Sequence, residues 1–142
     1  MAFVIGLALV ALMGALHHLS LRALERVSGY DRNQPNLTIQ IVFLGLLGIH
    51  ALEILIWAGA YRILLGWGVG DLTGAYNGTW TDLVYFSGVQ FTTLGYTDIT
   101  ALGDIRLIAL MEALGGFMVL TWSATYLYSA WQRAFRLVNQ SS

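Results

Sequence analysis

The chain has 142 residues, of which 57% are hydrophobic and 11% charged; it contains no lysine and no cysteine and carries a formal net charge of −1. That composition excludes the surface of a soluble domain of this size. The missing cysteines exclude a disulfide, a thiolate metal site and a haem thiolate, and so small a net charge names no partner.

Residues 2 to 16 are apolar but short for a span, which needs about 20 apolar residues. Continued through His17, His18 and Leu24 the run reaches spanning length, so an N-terminal membrane helix is expected over 1 to 28, with a helix lying along the interface as the alternative. A cleaved signal peptide is disfavoured: no positive residue precedes the apolar run and no small-x-small site closes it. His17 and His18 are expected to mark the cytoplasmic interface. Gly29, Asp31, Asn33 and Pro35 then break the helix, giving a loop over 29 to 36.

A second span, the outer helix, is expected over 37 to 65, with Trp57, Tyr61 and Trp67 placing amphipathic rings at the outer interface. Gly66, Gly68, Gly70 and Gly74 are expected to end regular structure. Thr79 or Thr81 can cap a short helix over 80 to 92 with Asp82 in its first turn. At about 13 residues this apolar helix is too short to span. An irregular segment, 92 to 98, and a third span, the inner helix over 104 to 131, follow, which is the order of a re-entrant loop. A short tail, 132 to 142, completes the chain.

All seven basic residues are arginine. Arg22, Arg26 and Arg32 follow the first span and Arg133 and Arg136 the last, so the positive-inside rule puts both segments in the cytoplasm and the N-terminus outside. The expectation is an integral, multi-pass protein of a plasma or bacterial inner membrane.

The irregular segment reads Thr92-Thr93-Leu94-Gly95-Tyr96-Thr97-Asp98. Selecting a dehydrated monovalent cation requires a row of inward oxygens, which extended backbone supplies if successive carbonyls turn to one axis. Gly95 can take positive φ without steric cost, Thr93 can add a hydroxyl oxygen, and Leu94 and Tyr96 can pack outward. One chain supplies one wall, so four copies around an axis are needed.

This segment resembles the potassium-channel signature Thr-Val-Gly-Tyr-Gly-Asp. Tyr85-Phe86 resembles the paired aromatics of that family's pore helix and Thr92-Thr93 its closing threonines, and residues 37 to 131 have its order of outer helix, pore helix, filter and inner helix. The resemblance implies an all-α membrane protein, tetrameric around a central pore, that passes potassium, or sodium, passively. It implies filter oxygens from Thr93, Leu94, Gly95, Tyr96 and Thr97, with Thr92, Asp98, Tyr85 and Trp80 as supports and Asp98 bracing the outer mouth. It also implies Gly115 and Gly116 as a gating hinge; close packing of small residues is the alternative. Membrane lipid and identical subunits are the partners implied, with no cofactor beyond the permeant ion, no nucleic acid, no small-molecule substrate and no enzymatic activity.

Two departures from the pattern stand out. Thr97 replaces the second filter glycine, and a β-branched residue at positive φ costs about 1 to 3 kcal/mol, so Thr97 is expected to keep an ordinary conformation. The outermost ring is then lost, widened or replaced by its hydroxyl, which opens the alternative of a non-selective cation channel. Val89 occupies a position where some relatives carry a glutamate, leaving Asp98 to find Tyr85 or Trp80. A membrane interaction subunit that does not conduct is the reading from another class.

Ionisable residues inside a membrane mark function by default, so His50, Glu53 and Glu112 require an account. His50 and Glu53 share a helix face; they suit a metal pair, but the second half of such a motif is absent, and bonding to each other or to the back of the pore helix is expected. Burial can leave Glu53 or Glu112 protonated. Asp71, Asp82 and Asp104 are expected on the outer side, partly offset by Arg62 and Arg106. Asn77-Gly78-Thr79 fits a glycosylation acceptor. No span carries arginine at every third position, which argues against a voltage sensor, and the residues after Trp131 are too few for a ligand-binding domain.

Overall fold

The computed structural model describes residues 1–28 and 34–139, with side chains to residue 136. Three long helices, α1 (Ala2–Ser28), α2 (Pro35–Gly66) and α4 (Ile105–Asn139), are each apolar enough to cross a membrane. Between the last two lie a strand β1 (Gly70–Gly74), a short helix α3 (Trp80–Phe91) and a strand β2 (Ile99–Gly103). Most of the loop expected over 29 to 36, with Gly29, Asp31, Arg32 and Asn33, lies outside the described residues, as do residues 140 to 142.

Helix α2 starts with Pro35 in its first turn, where a missing N–H costs nothing because that group has no partner inside the helix. It ends where Gly68 turns left-handed at φ +72° and Val69 N–H reaches back to Leu64 O at 3.1 Å, a common way for a helix to satisfy its last carbonyls. Helix α4 continues to Asn139, through much of the segment expected to be a tail. Ala134 is buried there, and Arg133 Nη1 lies 3.2 Å from Glu25 Oε1 of α1.

Helices α1 and α4 run parallel, in register from Gly6 against Met111 through Gly115 against Val10 to the Glu25–Arg133 pair. Helix α2 runs antiparallel to both: Gly45 meets Leu24 near one end, and Trp57 and Tyr61 join Phe86 and Ile105 in the core at the other. A smaller core of Leu21, Val42, Leu46 and Ala130 fills the opposite end. Arg22, Arg26, Arg133 and Arg136 thus collect at the end away from the strands. In lipid no hydrophobic force draws helices together, so these contacts hold by close packing and hydrogen bonds. The bilayer accounts for exposed side chains such as Leu7, Leu19, Phe43 and Leu55.

Two expectations fail here. The glycine-rich stretch after α2 does not end regular structure: β1 pairs antiparallel with β2, from Gly70 opposite Gly103 to Gly74 opposite Ile99. Gly74 takes φ +84° and lies so close to the Asp98 carbonyl that a Cβ there would collide with it. Nor do Trp57 and Tyr61 present their rings outward to a membrane interface. They are 1% and 0% exposed, because the short helix folds back over them and Phe86 packs edge-on to Tyr61 at 5.1 Å. Trp67 alone of the three is exposed.

Candidate functional site

The β1–β2 pair closes a loop from Ala75 to Asp98, tied at its mouth by Ala75 N–H donating to Asp98 O at 3.0 Å. Everything between is the short helix and the irregular segment after it, so two packed strands fix both ends of the excursion.

Helix α3 begins with a capping box at Thr79, in which side chain and backbone satisfy each other reciprocally. The Thr79 hydroxyl accepts from Asp82 N–H at 3.2 Å. The Asp82 carboxylate accepts in turn from Thr79 N–H at 3.2 Å and from Asn77 N–H at 2.8 Å. The Asn77 N–H above all, with Thr79 adding to it, holds the Asp82 carboxyl below the usual aspartate range. Arg62 Nη1 donates to Gly78 O at 2.9 Å, and the guanidinium lies over the Trp80 ring at 5.9 Å. This cation–π contact and hydrogen bond pin the entry of α3 to the end of α2.

Midway along, the helix is held by a buried polar cluster. Ser87 Oγ lies 2.6 Å from Glu112 Oε1 and 3.0 Å from Ile54 O, and Tyr61 O–H donates to Glu112 Oε2 at 2.5 Å. Ser87, Tyr61 and Glu112 are each 0% exposed. The cluster joins α2, α3 and α4 through one carboxyl group. It places an acid behind α3 from the third span, although α3 itself carries Val89 where a glutamate was sought. Glu112 was legible as an intramembrane acid; Ser87 and the pairing with Tyr61 were not, because the contacts cross 25 and 51 residues.

The C-terminal end of α3 rests on the third span. A Cβ at Gly116 would fall on the Phe91 backbone, and Gly115 packs against Val10 with Cγ atoms 3.0 and 3.1 Å from where its Cβ would be. Both glycines therefore make close helix contacts, and a bend in α4 here would have to part Gly116 from Phe91.

Beyond Thr92, whose hydroxyl donates to Gly88 O at 2.7 Å, the sign of φ alternates from Thr93 to Tyr96. Thr93 has φ +56° and is the one described non-glycine residue at positive φ; Gly95 has φ +70°, while Leu94, Tyr96 and Thr97 keep negative φ. The N–H groups of Thr93 and Leu94 reach back to Gln90 O and Val89 O at 3.0 and 3.1 Å, so left-handed Thr93 also closes the end of α3. Thr97 adopts the ordinary conformation expected of it. Its hydroxyl accepts from Ile99 N–H, two residues further on, at 3.1 Å.

The Asp98 carboxylate makes no hydrogen bond among the described residues, so the expected bond to Tyr85 or Trp80 is absent within one chain. Trp80, Tyr85, Leu94 and Tyr96 are exposed, the last two by 68% and 77%.

A second polar cluster lies under the other side of Phe91. His17 Nδ1 and His50 Nδ1 each lie 2.8 Å from a different oxygen of the Glu53 carboxylate, and Ser123 Oγ lies 3.3 Å from His17 Nε2. The His50 ring is 5.8 Å from that of Phe91. His50 and Glu53 bond to each other as their spacing suggested. His17 was misplaced: it is 0% exposed and in the middle of the bundle, because α1 packs along α4 and presents it to α2. His17, His50 and Glu53 are the residues among those described whose donor atoms are grouped as a metal would need.

Known proteins resemble this chain in part. A family model described as "Ion channel" matches residues 49–133. An uncharacterized membrane protein of Bacillus subtilis (strain 168), YdjJ, is 38% identical over 52 residues, covering 36% of this chain and 15% of that protein. The chain thus spans a small part of the length of that relative. No solved structure matches.

Proposed function

Because the chain belongs to that ion-channel family, we propose that it is one subunit of a homotetrameric, passive monovalent-cation channel favouring potassium, with Thr93 to Tyr96 supplying the selecting oxygens. The observation that carries this reading is the alternation of hand at Thr93 and Gly95 directly after a short helix aimed back into the bundle. Carbonyls turned to one side of an extended segment become a ring of oxygens when four copies share an axis, and stacked rings replace the shell of water around the ion.

Three further features fit. Leu94, Tyr96, Trp80 and Tyr85 are large side chains left exposed by one subunit, as expected of groups that neighbouring subunits cover. The buried Ser87–Glu112–Tyr61 cluster holds the pore helix against two spans, so its C-terminal end, the negative end of the helix dipole, is fixed near the ion path. The stripe Phe117, Thr121, Thr125 and Tyr128 on α4 is exposed and is our candidate for the lining below the filter. The arginine clusters, gathered at the end away from the strands, support a cytoplasmic position for that end under the positive-inside rule. Ion conduction requires no catalytic group.

Thr97 carries the second reading. It breaks the alternation and commits its hydroxyl to Ile99 N–H, so in this reading the oxygen ladder ends at Tyr96 and the outermost ring is lost. A non-selective pore follows if the outer ring is what rejects sodium. The test is flux into liposomes holding purified protein, with potassium and sodium gradients compared and the oligomer sized in parallel. Tetramers passing potassium faster support the proposal; equal rates favour the second reading; monomers, dimers or no flux refute both.

A further inference from the structure

We propose that His17, His50 and Glu53 form a binding site for a divalent transition-metal ion of the zinc class, inside the membrane bundle and apart from the ion path. The three come from two helices, and their donor atoms all lie within 4.8 Å of one another. Two imidazole nitrogens and one carboxylate are a donor set that zinc accepts with a fourth position left for water. Tetrahedral bonds of about 2.0 to 2.1 Å place neighbouring ligand atoms about 3.3 Å apart. Here both Nδ1–oxygen distances are 2.8 Å. The two histidines hold different oxygens of the one carboxylate, so an ion must part each nitrogen from its oxygen by about half an ångström and draw the widest donor pair, within 4.8 Å, in to that spacing by side-chain rotation.

Two independent features point the same way. Ser123 orients His17 from behind, as the outer partners of metal-bound histidines do. Its neighbours Thr121, Thr125 and Ser129 turn their hydroxyls to carbonyls of their own helix, the usual habit of such residues in a membrane span. Ser123 instead sends its hydroxyl across to α1. Second, a mostly apolar cavity lined by Leu46, Leu47, His50, Ser123 and Leu127 opens beside His50 and Ser123 and leaves room at the edge of the cluster. The pair His50–Glu53 on α2 is half a site, and α1 completes it with His17. Bound metal would replace the hydrogen-bonding protons and staple α1 to α2.

The proposal is tested on the full-length protein in detergent micelles after chelator treatment. Titration with cobalt, read by the visible absorption of tetrahedral Co(II), and equilibrium dialysis with zinc should both saturate at one ion per chain with micromolar affinity or better. His17→Gln, His50→Gln and Glu53→Gln should each weaken binding more than about 100-fold, and Ser123→Ala by about 10- to 100-fold, the range for lost outer partners. His18→Gln, beside His17 in sequence but stacked on Trp122, should bind as the wild type does. The melting temperature of the wild type should rise with zinc and that of His17→Gln should not. Wild type that takes up no ion at micromolar concentration overturns the proposal, as does binding that His18→Gln removes as fully as His17→Gln. The three side chains are then a hydrogen-bonded clamp and nothing more.

Discussion

Removing Glu112 tests whether the short helix α3 is held by hydrogen bonds or by charge. Ser87 has one hydroxyl hydrogen and two close oxygens, Ile54 O at 3.0 Å and Glu112 Oε1 at 2.6 Å. Both contacts are hydrogen bonds only if Glu112 keeps its proton and donates to Ser87 while Ser87 donates to Ile54 O; Tyr61 then donates to the other carboxyl oxygen. A neutral side chain of the same shape should therefore serve. Glu112→Gln can donate its amide N–H to Ser87 and accept from Tyr61, and is expected to cost less than about 1 kcal/mol, since no polar group is left alone. Glu112→Ala removes two bonds but strands one fully buried hydroxyl, that of Tyr61, since Ser87 keeps its bond to Ile54 O. At about 0.6 kcal/mol for an average interhelical bond in a membrane protein the loss is roughly 1.2 kcal/mol. At about 1 to 3 kcal/mol for an unsatisfied buried group it is of the same order. Complete burial and short contacts favour the higher scale, so about 1 to 3 kcal/mol is expected. Unfolding by SDS titration in bicelles, followed by tryptophan fluorescence with Trp57 buried beside this cluster, measures the difference. Equal losses for Gln and Ala would show that the charge matters, and no loss for either would show that the cluster holds nothing; each refutes the reasoning.

Other substitutions probe the remaining supports. Gly116→Ala puts a methyl group on the Phe91 backbone, which cannot move without moving the candidate filter. Overpacking of this kind should cost about 1 to 3 kcal/mol and here abolish flux. Gly115→Ala meets only the side chain of Val10 and should be milder; equal effects on opening from both would favour a hinge. Gly95→Ala forces a Cβ into left-handed backbone. That conformation costs a residue with a side chain about 1 to 2 kcal/mol in each subunit, and ion selection as measured by flux should be lost. Asp82 lies outside the three spans and its carboxyl titrates below the ordinary range, so the capping box is intact above that range and is lost as pH falls through the lowered value. Amide exchange at Asn77 and Thr79 should accelerate there, and Asp82→Asn should show the faster exchange already at neutral pH.

The three spans, the short capped helix and the irregular segment were legible because each is written locally, in apolar length, in Thr79 and Asp82, or in Gly95. What crosses the chain was not. The strands GDLTG and ITALG are short and glycine-rich, and a whole helix separates them, so neither shows the alternation or tight turn that announces a hairpin. Trp57 and Tyr61 have the residue types of an interface, and only the return of α3 over them makes them core. His17 reads from sequence as an interface residue and gives no sign of its partner, since a residue on one span cannot announce which face of another it will meet. The supports of the candidate filter are the part that only three dimensions assemble.

The most direct measurement is the reversal potential of single channels in a planar bilayer with potassium on one side and sodium, at equal concentration, on the other. The expected result is a current that reverses far from zero in the direction set by potassium, and that loses this preference in Gly95→Ala. Reversal at zero in the wild type, or a preference that survives Gly95→Ala unchanged, would contradict the assignment of selection to the oxygens of Thr93 to Tyr96.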